Sequence, residues 1–127
     1  MSFDIFLQRF ADERARQASG AKLIEILGPY IEGTPTSGRV SIRTQDGGAD
    51  CHGIDHPDDG TMLNHLTGTA IWDLLFDIAF KCSFAIMPVG CPTSVGAAEI
   101  LRELPPELQP DARVVSSGKE ILKNLQS

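Results

Sequence analysis

Three residues of the types that cooperate in nucleophilic catalysis are spread along the chain: Cys91, His65 and Asp50. Cys91 leaves an apolar run and precedes Pro92, and a helix that began just after it would favour the thiolate. His65 would then act as the base and Asp50 would orient it, which is the general pattern of an activated nucleophile. The spacing neither supports nor excludes this arrangement. The alternative is that Cys91 is a small core residue at a tight exit from a strand.

A second group of polar residues has the side chains that bind metal ions. His52 shares one face of a predicted strand with Asp50, and the loop behind it adds one imidazole and three carboxylates, those of His56, Asp55, Asp58 and Asp59. Imidazole and carboxylate groups bind zinc or harder divalent ions, so His52, His56, Asp55 and Asp58 are candidate metal ligands. Their order matches no metal signature, however, and Asp, Pro and Gly are also the ordinary residues of a turn. No cofactor is predicted.

The elements that must position these residues are a helix and the strand that follows it. In residues 71–81 the only polar side chains are Asp73, Asp77 and Lys81, and they form one narrow stripe on a helix of period 3.6. The run at residues 84–89 is apolar without alternation, as expected of a strand that is buried on both faces. Helix and strand together predict the core.

The remaining elements follow from periodicity and from turn residues. Strands are predicted at residues 3–8, 39–44, 49–54, 61–66 and 113–116, and shorter helices at 19–27, at 97–104 and after Ser117. Strict alternation in residues 61–66 places His65 on the opposite face from Asn64. Thr67 or Thr69 is expected to cap the central helix.

The order of elements predicts the fold class. A strand, helix and strand crossover over residues 61–89 is expected to be right-handed and parallel, whereas the turn at Asp46-Gly47-Gly48 makes an antiparallel hairpin. The sheet must therefore be mixed. We predict a single α+β domain over residues 1–127, a two-layer sandwich with helices packed on a mixed β-sheet.

Composition narrows the function classes. The chain has 17 acidic and 11 basic residues and a formal charge of -6, which argues against a protein that grips a phosphate backbone. No stretch is apolar enough to span a membrane, and the first ten residues lack the basic segment of a signal peptide. The three cysteines are odd in number and form no CxxC pattern. These features predict reduced thiols in a cytoplasmic protein that binds neither nucleic acid nor membrane.

Several motifs together resemble a known group of proteins. They are the opening MSFDIFLQRF, the segment Asn64-His65-Leu66-Thr67-Gly68 with Trp72-Asp73, the PVGCPT of residues 88–93, and Ser117-Gly118. In these motifs the chain is similar to a group of small bacterial proteins of similar length that carry no established activity. The resemblance implies a bacterial cytoplasmic protein and assigns no catalytic residue.

Two hypotheses of function follow. The first is a non-enzymatic binding protein that meets a protein partner through an acidic surface and an edge of its sheet, as bacterial immunity proteins do with basic toxins; that analogy concerns composition only. Self-association as a homodimer through the first strand is expected if that strand lies at an edge. The second is a small hydrolase or thiol enzyme that uses Cys91 with His65, or a metal held by His52 and His56.

Overall fold

The computed structural model of the protein describes residues 4–125. The helices and strands follow in chain order: β1 (Ile5–Ala11), β2 (Arg14–Arg16), α1 (Gly20–Leu27), β3 (Ile31–Thr36), β4 (Arg39–Arg43), β5 (Gly48–His52), β6 (Thr61–Thr67), α2 (Ala70–Cys82), β7 (Phe84–Pro88), β8 (Ser94–Val95), α3 (Ala98–Glu103), β9 (Arg113–Val114) and α4 (Gly118–Asn124). The predicted α+β fold class is confirmed. Phe3, with which the first strand was predicted to begin, lies outside the described residues.

All the strands belong to one sheet, in the order β3-β4-β5-β6-β1-β7-β8-β9, with β2 paired to the far end of β1. Neighbouring strands are antiparallel except β8 and β9, which are parallel. Because β6 and β7 both run antiparallel to β1, they are parallel to each other, and α2 connects them. The parallel crossover and the mixed sheet are as predicted, but β1 separates β6 from β7, so the parallel pair that makes the sheet mixed is β8 with β9.

The first strand lies inside the sheet and not at its edge. Ile5 is the partner of Leu63 on one side and of Pro88 on the other, and the far end of β1 pairs with β2 and β7. The hydrogen-bonding groups of β1 are therefore used within the chain. The expected route to a homodimer through this strand is not available, because the condition that it lie at an edge is not met.

The main core lies between one face of the sheet and helices α1, α2 and α4. Leu23 of α1, Leu75 of α2 and Ile121 of α4 are fully buried there, together with Phe84 of β7. Helix α4 packs so closely on α2 that a methyl group at Gly118 would overlap the backbone of Asp73. None of the helices within residues 4–125 has the length and apolar character needed to cross a membrane.

A smaller core covers part of the opposite face. Ala85 of β7, Val95 of β8 and Leu104 form it, with side chains of α3 packed around them. Strand β7 is thus buried on both faces, as its unbroken apolar run predicted. Helices α1, α2 and α4 pack on the other face, and the rest of this face is bordered by a turn that contains a one-turn 3₁₀ helix (Pro57–Asp59). We call this surface the open face; it is formed by the outward side chains of Phe6, Arg39, Ser41, Asp50, His52, Met62, Asn64 and Met87.

Three strands that the sequence did not predict are β2, β3 and the two-residue β8, and β2 and β3 lie where turns or polar loops were expected. Strand β3 contains Gly33 and Pro35 and pairs only with β4, at an edge where a proline is tolerated. Strand β2 is fully exposed and is joined to β1 by a turn in which Asp12 and Glu13 have φ of 53° and 65°. Neither β2 nor β3 buries apolar side chains in an alternating pattern, and β8 has only two residues, so none of the three produces the signal on which strand prediction depends.

The cap of the central helix also differs from the expectation. Thr69 occupies the N-cap position, but its side chain makes no capping bond. The carboxylate of Asp46 accepts hydrogen bonds from Thr69 N at 2.8 Å and Ala70 N at 3.1 Å, and these bonds lower the pKa of Asp46. A residue of the β4–β5 turn therefore caps α2, and it fastens the hairpin to the helix.

Candidate functional site

An apolar strip crosses three neighbouring strands of the open face. Phe6 on β1 is the cross-strand partner of both Met62 on β6 and Met87 on β7. Alternation along β1 sends Ile5 and Leu7 into the main core and leaves Phe6 45% exposed, while the two methionines are half-buried. We call Met87, Phe6 and Met62 the apolar strip.

The apolar strip forms the floor of a cavity of about 390 Å³. The turn at residues 53–60 makes one wall, and it can lie this close because Gly60, with φ of 97°, has no side chain: a Cβ there would lie 2.8 Å from the carbonyl oxygen of Leu7. Among the described lining residues, Asp59 is the carboxylate, His52 is the imidazole, and none is a lysine or arginine. The cavity is apolar at its floor and acidic at one wall.

Polar side chains continue the row of the apolar strip across β5 and β4. Met62 is the partner of His52, and His52 is the partner of Arg39. The Nε2 atom of His52 lies 3.1 Å from Oδ1 of Asn64, so the imidazole is held by a hydrogen bond on its own face of the sheet. The open face thus changes from apolar to polar within five strands.

A second, polar cleft of about 270 Å³ lies farther along the same face, and it contains two of the predicted catalytic residues. Nδ1 of His65 lies 2.8 Å from Oδ2 of Asp50. This hydrogen bond is the first cause of a lowered pKa for Asp50, and the positive charge of Arg39 adds to it against the opposing effect of burial. The structure therefore brings His65 and Asp50 together in the orientation of a base and its carboxylate.

A β-bulge places His65 in this cleft. Asn64 is the partner of Asp50 and Thr67 is the partner of Gly48, so two residues of β6 oppose one residue of β5. His65 takes a left-handed backbone conformation with φ of 54°. The predicted strict alternation is wrong at this point, since the bulge turns His65 outward and lets Leu66 pack against the main core.

Replacing His65 with alanine is expected to raise the pKa of Asp50 towards that of an ordinary aspartate, because the hydrogen bond that favours the charged carboxylate is lost. Since the folded protein lowers this pKa, ionised Asp50 contributes stability at neutral pH, and the contribution is lost as the pH falls through the folded pKa. Carbon-detected NMR titration of the Asp50 carboxyl measures this shift.

His56→Ala is the matched control for that titration, because His56 is also exposed and lies beside Asp55 instead of Asp50. The control variant is expected to leave the pKa of Asp50 unchanged. Equal titration curves for the wild-type protein and the His65→Ala variant would contradict the pairing of His65 with Asp50.

Cys91, the predicted nucleophile, lies elsewhere. It lines a separate cavity of about 280 Å³ with Glu107 and Asp111, and no hydrogen bond joins it to His65 among the described residues. The reason is the position of β1: it separates β6, which carries His65, from β7, which leads to Cys91. Two interstrand spacings amount to roughly 10 Å. The described structure thus forms the His65–Asp50 pair without the thiol.

The three thiols are free, and they differ in burial. Cys51 and Cys82 are buried, which raises the pKa of Cys82 and raises that of Cys51 to about 12. In the folded protein at pH 8 we expect a maleimide or iodoacetamide to modify the half-buried Cys91 at least roughly 100-fold faster than Cys51, since the thiolate is the reacting form. Mass spectrometry of a labelling time course measures the order. Modification of Cys51 before Cys91 would contradict it.

The predicted metal ligands are dispersed. His52 is bonded to Asn64, and Nε2 of His56 lies 3.9 Å from Asp55. Asp58 accepts a hydrogen bond of 2.7 Å from Gly20 N, so its carboxylate is occupied at the start of α1. Within residues 4–125 no group of three or more His, Cys, Asp or Glu side chains is arranged to hold a metal ion. The structure does not bring the four predicted ligands together.

Comparison of the chain with family models, with curated proteins and with solved structures found no match. The resemblance to a group of small bacterial proteins stays a prediction. Functional inference for this chain therefore depends on its own geometry, and above all on the apolar strip, which the sequence analysis missed. The one sequence signal was Phe6, an apolar residue that breaks the alternation of the first strand.

Proposed function

We propose that the protein is a non-enzymatic protein-binding module and that it binds its partner with the open face of its sheet. The observation that carries this proposal is the apolar strip, in which the exposed Phe6 lies between the half-buried Met87 and Met62 at a cavity of about 390 Å³. Apolar side chains that are contiguous on a surface and rimmed by polar groups mark interaction sites. Methionine side chains also adapt their shape to the group that packs against them.

Charge favours a basic partner. The chain carries a formal charge of -6, so a basic protein is attracted over distance before the surfaces meet. This is the property that the protein shares with bacterial immunity proteins, and the analogy extends no further. A bacterial cytoplasmic setting, implied by the resemblance, belongs to the same proposal.

The proposed binding surface is the open face of the sheet, whereas the sequence suggested an edge of the sheet. Strand β3 forms one edge and contains Gly33 and Pro35, which are poor residues for pairing with another strand. Strand β9 forms the other edge and has two residues, Arg113 and Val114. Edge strands that are short or interrupted are poor sites for the addition of a strand from a partner. The open face instead offers apolar side chains that a partner can contact.

A second candidate function is a small hydrolase, and the His65–Asp50 pair is the observation in its favour. Asp50 holds Nδ1 of His65, and the side chain of His65 is 63% exposed, so Nε2 can reach a water molecule as a general base. No serine, threonine or cysteine hydrogen-bonds to His65 among the described residues. Ser41 and Thr67 line the same cleft, but within residues 4–125 neither hydroxyl is hydrogen-bonded to His65. We favour the binding function because the pair is not coupled to a nucleophile.

The proposed function is tested by photo-cross-linking in the cells that make the protein. The photoreactive residue p-benzoylphenylalanine is placed at Phe6 or at Phe80, an aromatic residue of α2 that is 58% exposed on the helical side. We expect irradiation to join position 6 to one partner protein and to leave position 80 without that adduct. An adduct at position 80 alone, or none at position 6, would overturn the proposal.

A further inference from the structure

We infer that the cavity of the open face receives an arginine side chain of the partner, with its aliphatic part on the apolar strip and its guanidinium group at Asp59. This inference rests on the proposed function, because it specifies what the partner inserts into the open face. It follows from the two kinds of group that line one cavity, apolar side chains at the floor and a carboxylate at the wall.

The floor of the cavity suits the aliphatic part of such a side chain. Phe6 lies between Met62 and Met87, so three apolar side chains from adjacent strands form a continuous surface. Long cationic side chains bury their methylene groups on apolar surface while the charged end stays in a polar setting. A planar guanidinium can also stack on the exposed ring of Phe6, which a lysine ammonium group cannot do.

The wall of the cavity suits the positive charge of the guanidinium group. Oδ1 of Asp59 accepts a hydrogen bond of 3.0 Å from Nε2 of Gln17, which fixes the carboxylate at the cavity. Asp55 and Asp58 belong to the same turn, and no lysine or arginine is among the described residues that line the cavity. Asp59 is thus the one carboxylate among the described residues that line the cavity, and its charge attracts a cation and repels an acidic group.

The direct test uses methyl NMR of the protein with ¹³C-labelled methionine, titrated with the peptide triarginine. We expect the methyl signals of Met62 and Met87 to shift and to saturate. Asp59→Asn should weaken this binding at least about fivefold. Asp73→Asn is the matched control, since it removes the same charge from an exposed position on α2, and it should change the affinity less than about twofold.

The other outcomes are each decisive. Equal weakening by Asp59→Asn and Asp73→Asn would show attraction to net charge alone and would overturn the inference. Equal shifts with trilysine would overturn the choice of arginine. Shifts with trinorleucine but not with triarginine would show that the cavity takes an apolar side chain, and no shift with any of the three peptides would also overturn the inference. In the last two cases the cross-linking result at position 6 decides separately whether the proposed function stands.

Discussion

Replacing Phe84 with alanine is expected to lower the free energy of unfolding by about 3–5 kcal/mol, which is a large share of the roughly 5–15 kcal/mol that holds a typical domain folded. Phe84 begins β7 and is 0% exposed in the main core. Its removal leaves a cavity between the sheet and the helices, because neighbouring side chains relax only partly. Urea unfolding followed by the fluorescence of the buried Trp72 measures the loss.

Phe80→Ala is the matched control for this prediction. Phe80 lies four residues earlier and is 58% exposed on α2, where it stacks on Phe76 with ring centroids 5.9 Å apart. Its loss should cost about 1 kcal/mol or less, since little surface is removed from water and one exposed ring contact is lost. Similar losses in the two variants would show that β7 does not form the centre of the core.

The elements that the sequence predicted well are those specified by neighbours in the chain. The polar stripe of Asp73, Asp77 and Lys81 placed α2, and the unbroken apolar run placed β7. The final helix followed from a local capping pattern, and Ser117 Oγ indeed accepts a hydrogen bond of 3.3 Å from Glu120 N. Such patterns can be read without knowledge of the fold, because the residues that interact lie within a few positions of each other in the chain.

What the sequence did not predict depends on residues that are far apart in the chain. Asp46 caps α2 across 23 residues, and no local pattern marks it as a cap. The bulge at His65 arises from the register of β6 against β5, which alternation alone cannot show. Cys91 is separated from His65 because β1, the first strand, inserts between two strands that follow each other in the sequence.

The apolar strip was missed for the same reason. Phe6, Met62 and Met87 lie on three strands, and only the pairing of β1 with both neighbours makes them adjacent. Each side chain alone is an ordinary exposed or half-buried apolar residue, which carries no functional meaning. They can be recognised as one apolar surface only from the strand register, which places them in one row at the floor of a cavity.

Replacing Phe6 with alanine is expected to weaken binding of the partner at least about 30-fold, or roughly 2 kcal/mol, because Phe6 lies at the centre of the apolar strip. Aromatic side chains at the centre of an interface supply much of its affinity. Since Phe6 is 45% exposed, the same change should lower the free energy of unfolding by only about 1 kcal/mol. The larger expected loss is therefore in the free energy of binding.

The measurement that tests the open face most directly is the dissociation constant of the cross-linked partner, purified and titrated calorimetrically into the wild-type protein and into the Phe6→Ala and Phe80→Ala variants. The account predicts at least about 30-fold weaker binding for Phe6→Ala and less than about threefold for Phe80→Ala, although Phe80 is the more exposed ring. Unchanged affinity in Phe6→Ala would contradict the account, and a larger loss in Phe80→Ala would place the binding surface on the helical side.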